Sequence, residues 1–138
     1  MYGALDISTS GMIAQRTRMA VISANIANAN TILDSRGNPT PFRKRIVHFE
    51  PGDPSASSGA GRAMGVHVAE IGRDEEAIRM RYEPGSPYAD KDGYVPYPDI
   101  NTQLEQINAM TAARAYEANV AAAETTKSMM AQALRLLA

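Results

Sequence analysis

The chain has 138 residues and a formal net charge of −1, so one domain with extensions is the expectation and no bulk charge draws it to nucleic acid or an anionic membrane. It has no cysteine, which removes disulfides, thiolate zinc sites and cysteine nucleophiles together. No run approaches the roughly 18 apolar residues of a membrane span, and Met1 to Ala14 lacks the basic start and apolar core of a cleaved signal.

The first element, from about Ala4 to Ala29, reads as a helix. Leu5, Met12, Met19 and Ile26 recur every seven residues, and Ile22 adds a second column. That second column is poor, because Ser8 and Gln15 stand where a strong coiled coil would want leucine. Gly11 costs about 1 kcal/mol relative to alanine inside a helix. The helix is therefore expected to be weak alone and ordered by neighbours. Asn28 and Asn30 suit a C-terminal cap in the left-handed region.

From about Thr31 to Pro98 the character changes. All eight prolines fall here, with eight of the ten glycines. Phe42 to Phe49, Val66 to Ile71 and Ile78 to Tyr82 read as short strands. Asp53 to Gly65 reads as a flexible loop, and Tyr82 to Pro98 as a turn-rich return.

The last element, from about Asp99 to Leu137, reads as a second and stronger helix. Ala109, Ala113, Tyr116, Val120, Ala123, Met130, Leu134 and Leu137 follow alternating steps of four and three, interrupted only by Lys127. Asp99, or Thr102 with Glu105 in capping-box form, would start it. A helix of this length, on the order of 57 Å at 1.5 Å per residue, exceeds a small domain, so part of it must touch something else. The fold class is α+β: long terminal helices (1–30 and 99–138) pack as a coiled-coil-like pair around a small β-rich insertion (31–98) with loop 53–65.

Candidate chemistry is thin. The basic cluster Phe42-Arg43-Lys44-Arg45 could grip phosphate, but a solvated strand face is the simpler account. Gly59, Gly61 and Gly65 match no phosphate-loop spacing. Asp90, Asp92 and Gly93 begin like a calcium loop, but the glycine comes too early and no glutamate closes it. His48 and His67 lack a third ligand at metal spacing, and Asp74, Glu75 and Glu76 read as an exposed turn. Methionines 12, 19, 110, 129 and 130 suit adaptable packing at helix seams. No cofactor, metal or catalytic residue is expected.

The residues do carry a resemblance. Asp6 to Thr31, above all SANIANANT at 23–31, resembles the N-terminal signature of the flagellar rod, hook and hook-associated proteins. MTAARAYEANV at 110–120, with KSMM at 127–130, is similar to the matching C-terminal signature. PFRKRIVHF at 41–49 and YEPGSPYADKDGYVPYP at 82–98 resemble the short proximal-rod members of that family. Ile32 to Ser35, and Ala122 with Ala123, depart from the pattern.

The resemblance implies a structural subunit of the proximal rod of the flagellar basal body, assembling helically to transmit torque from motor to hook. It implies copies of itself, other proximal and distal rod subunits and a rod-base adaptor as partners. It also implies export by the flagellar type III apparatus without a cleaved signal, to a periplasmic rod, with neither nucleic acid nor membrane insertion involved. The helices would form the inner tube. Besides the seam residues, Asn25, Asn28, Asn30 and Asn119 of the signatures would lie at the assembly interface. Physically, a head-to-tail contact whose rotation does not close builds such a tube. Terminal helices without partners would be disordered before assembly. The competing readings are a helical adaptor or export-chaperone-like module that captures one partner helix, and a small hydrolase using His48 or His67.

Overall fold

The two terminal helices lie side by side and antiparallel. The computed structural model describes residues Tyr2 to Leu137, with α1 over Tyr2–Ala27 and α3 over Thr102–Leu137. Between them come β1 (Arg45–Pro51), α2 (Gly59–Met64), β2 (Val66–Arg73), β3 (Ile78–Tyr82) and β4 (Tyr94–Pro98). Two contacts fix the helix pairing. The Asn25 side chain reaches Glu105, and Gly11 faces Asn119. Both helices advance fourteen residues between these contacts, so they run in step. The same step sets Tyr2 opposite residue 128 and leaves 129–137 projecting beyond α1, an overhang of roughly 13 Å.

The seam is closer than leucines would allow. Ser8, Gly11, Ala14, Val21 and Ile22 are buried on α1. A Cβ on Gly11 would lie 2.6 Å from the Asn119 carboxamide oxygen, so this glycine permits the approach. Ser8, which looked like a weak heptad position, is a buried small residue. On α3 the predicted column Ala109, Tyr116, Ala123 and Met130 is half-buried. The second covered column is Ala112, Asn119 and Thr126, with Met130 and Ala133 half-buried on the overhang and Lys127 exposed.

The β1–β2 ribbon lies along α1. β1 starts at Asn25, and β2 starts at Ser10, whose hydroxyl accepts from Val66 N–H at 3.1 Å. Fifteen helical residues and seven strand residues cover similar lengths, on the order of 20 Å. The strands pair antiparallel with a bulge between His48 and Phe49. α1 thus has partners within its own chain on two sides, α3 on one and β1, β2 and α2 on the other.

Several sequence expectations change here. The segment 53–65 holds a short helix docked on α1. Ser58 caps it by accepting from Gly61 N–H at 3.0 Å, and Asp6 of α1 accepts from Ser58 N–H at 3.0 Å. Gly61 makes the docking possible, since a Cβ there would come within 2.8 Å of the Asp6 Cβ. The turn-rich return 82–98 ends in a fourth strand. Asp99 N–H donates to Ala77 and Glu83 N–H to Gly93, so by alternation Pro96 and Pro98 fall at non-hydrogen-bonded positions of β4, where a missing N–H costs the ladder nothing. The α3 cap is Asn101, whose Oδ1 accepts from Gln103 and Leu104 N–H at 3.1 Å, and neither Asp99 nor Thr102 takes that role. No described non-glycine residue has positive φ, so Asn28 and Asn30 do not form a left-handed cap. Asn28 instead donates back to Ala24 O at 2.9 Å. Among the described residues no helix is long and apolar enough to cross a membrane.

Candidate assembly interface

The buried polar centre of the molecule is one asparagine. Asn25 is 1 % exposed; its Oδ1 accepts from Arg45 N–H at 2.9 Å and its Nδ2 donates to Arg45 O at 2.9 Å. The carboxamide thus pairs with the backbone of β1 as a neighbouring strand would. The same Nδ2 lies 3.2 Å from Glu105 Oε2, and the other Glu105 oxygen takes Lys44 Nζ at 3.0 Å. Glu105 is 2 % exposed, so its charge is balanced by Lys44 and not by water. Four groups therefore lock the end of α1, the start of β1 and the start of α3 together. The basic cluster at 43–45 is not a uniform solvated face. Lys44 enters this network, Arg43 pairs with Glu75 at 3.6 Å, and Arg45 lies 5.5 Å over the Phe42 ring.

A second polar joint ties α2 to α1. The hydroxyl and amide of Ser58, with the Ser57 hydroxyl, hold the Asp6 carboxyl below its usual range. An open cleft of about 470 Å³ lies between α1, β1 and α3, lined by Arg18, Val21, Ile22, Val47 and Phe49 beside the Asn25 network.

The predicted interface residues divide into three groups. Ile22 and Asn25 are buried within the chain. Leu5, Met12, Met19, Ile26, Asn28, Ala109, Ala113, Tyr116, Asn119, Val120, Ala123 and Met130 are half-buried along the helix pair. Asn30 and Leu134 are exposed, and the side chain of Leu137 lies outside the described set. Sequence reasoning missed Lys44 and Glu105 as partners, because a strand lysine and a helix glutamate 61 positions apart leave no local pattern. It also missed Ile13, Leu104 and Ile107, which are exposed, as is Met110, which it had assigned to packing at a helix seam. Among the described residues neither histidine has a nucleophile as a hydrogen-bond partner. His67 Nδ1 contacts Gly52 O at 2.7 Å, with Glu50 3.9 Å from its other nitrogen, and His48 is exposed.

A chain built this way belongs to the α+β class, a terminal-helix pair locked at one end with Ile13, Leu104, Ile107 and Met110 exposed along it. Comparison with known proteins makes the class specific. Residues 5–32 match the family profile "Flagella basal body rod protein", and residues 91–136 match "Flagellar basal body rod FlgEFG protein C-terminal". The chain is 34% identical to the flagellar basal-body rod protein FlgC of Bacillus subtilis, over 98% of its own length and 97% of that protein's. It is 38% identical to FlgC of Escherichia coli and 37% identical to FlgC of Salmonella typhimurium, each over 95% of this chain and 93% of the other. The chain belongs to the FlgC family of flagellar basal-body rod proteins.

Proposed function

We propose that the chain is a structural subunit of the proximal flagellar rod, one that assembles helically through its terminal helices and carries torque from motor to hook. The observation that carries this reading is the likeness to FlgC proteins along nearly the whole chain, both helices and the insertion alike. Its partners are copies of itself, the other rod subunits and a rod-base adaptor, and the flagellar type III apparatus delivers it to a periplasmic rod. The role is mechanical and not catalytic. What supports that is the site itself, where the buried charge of Glu105 is neutralised by the half-buried Lys44 and is not poised on a substrate.

The half-buried and exposed apolar residues along α1 and α3 are the proposed contact surface. In the isolated chain Ile107, Met110 and Leu134 lie in water. Covering them in a tube removes that apolar area, at roughly 25 cal/mol per Å². An adaptor that captures one helix would form a finite complex instead. The test is fractionation of a motile strain that makes a functional epitope-tagged copy. The tag should travel with intact hook-basal bodies through detergent and high salt. A tag found only in soluble complexes of fixed size would favour the adaptor.

A further inference from the structure

The molecule has two unpartnered apolar surfaces of different kinds, and they lie far apart. The first is the α3 overhang, where Met129, Leu134 (66 % exposed) and Leu136 (88 % exposed) meet water. The second is one face of the β3–β4 ribbon. Its register places Ile78, Met80 and Tyr82 of β3 opposite Pro98, Pro96 and Tyr94 of β4, six apolar residues on one side. Toward the tip that face is uncovered. Tyr82 is 63 % exposed, Met80 and Tyr94 are also exposed, and the two tyrosine rings meet edge to face at 5.3 Å. The ribbon shares almost no contact with the helices or with β1–β2; the chain buries Pro98 at its root and leaves Met80, Tyr82 and Tyr94 toward the tip exposed.

The two surfaces cannot meet within one molecule. The ribbon is rooted at Asp99 to Asn101, next to the start of α3. Met129 lies 27 residues further along a continuous helix, on the order of 40 Å away. A five-residue ribbon spans only about 17 Å. Its connecting turn is folded back by bonds from Asp90 N–H to Tyr94 O and from Glu83 N–H to Gly93 O. The charges are complementary as well. The overhang 129–137 carries Arg135 and no acid, whereas the turn joining β3 to β4 carries Asp90 and Asp92 against Lys91, Glu83 being paired with Arg81 at 2.9 Å. Two unlike surfaces near opposite ends of one chain define a head-to-tail contact, which repeats without closing on itself when the rotation allows.

We infer that the overhang of α3 docks on the Met80–Tyr82–Tyr94 face of the β3–β4 ribbon of a second copy of this chain. This rests on the reading of the chain as a rod subunit and names the contact that would join successive copies. The aromatic face supplies a broad, stiff surface, and the methionines at 80 and 129 adapt the fit.

The absence of native cysteine makes the test direct. Two differently tagged copies are made together in a flagellated strain lacking the chromosomal copy. One carries Leu134→Cys, the other Tyr82→Cys; Leu136→Cys with Met80→Cys is a second pair. All four sites are exposed, so each variant should fold, and only variants that restore motility are used. Basal bodies are purified and treated with a short bismaleimide. The expected result is a band of twice the chain mass that carries both tags, lost when either cysteine is omitted. Motile cells whose basal bodies contain both copies but give no such band for either pair would overturn the contact. So would linkage of Leu134→Cys to Ile107→Cys on a helix flank. Absence of the chain from basal bodies would instead overturn the rod reading, and the contact with it.

Discussion

At the scale of single residues, the fold turns on Asn25. Asparagine is ordinary in a helix interior by propensity, and here it is buried because it offers a donor and an acceptor at one point. Alanine would leave the N–H and C=O of Arg45 without those partners and remove one contact to a buried carboxylate. Losses of this kind cost on the order of 2–3 kcal/mol. Asn25→Ala should therefore lower the stability of the purified chain by about that amount in a denaturant titration. Asn30→Ala, at an exposed position, should change it by less than about 0.5 kcal/mol. Equal effects would mean that Asn25 is not the anchor.

The same residue shows what sequence could and could not reveal. Asn25 stood out because it lies in the signature, and its predicted role was at an interface between subunits. Its partners in the fold are a backbone unit 20 positions away and a glutamate 80 positions away, and no periodicity encodes such a pairing. Gly11 is a parallel case. Its helix propensity is poor, and the compensating gain, room for Asn119, appears only when α3 is in place.

At the scale of elements, the long helices were legible because apolar residues repeat over many turns. Their predicted ends fall within three residues of the observed ones. β4 was hidden because two prolines argue against a strand, and only the register shows that both sit where no ladder bond is needed. α2 was hidden because GAGRAM has little helical preference, and its order comes from Ser58 and from Asp6 on another helix. The partners that α1 finds within the chain also narrow the expected disorder. The expectation that both terminal helices lack structure before assembly assumed that they had no partner. The structure gives α1 partners along its length and leaves only the overhang of α3 without one. Amide exchange on the dilute chain should thus show protection at Ala14 to Asn25 and fast exchange from about 129 to 137. Uniformly fast exchange across α1 would restore the original expectation.

At the scale of the whole molecule, one end is locked and the other is open. The lock consists of Asn25, Lys44, Glu105 and the Arg45 backbone, which hold two helices and a strand as a unit. The open end is a bare helix with apolar side chains. Such a body has a rigid part that suits a structural rod subunit, and the proposed contact with a second copy falls on its bare part. The family, the fold class and the structural role were all visible in the two terminal signatures and the 82–98 segment. What assembly adds lies between copies, where a single sequence carries only the exposed apolar residues as a trace.

The measurement that tests the central claim most directly is electron microscopy of basal bodies from a flagellated source strain lacking this chain, with and without a plasmid copy. The account predicts particles without rod, hook or filament, all restored by the plasmid. Intact hook-basal bodies in the strain without the chain would contradict it.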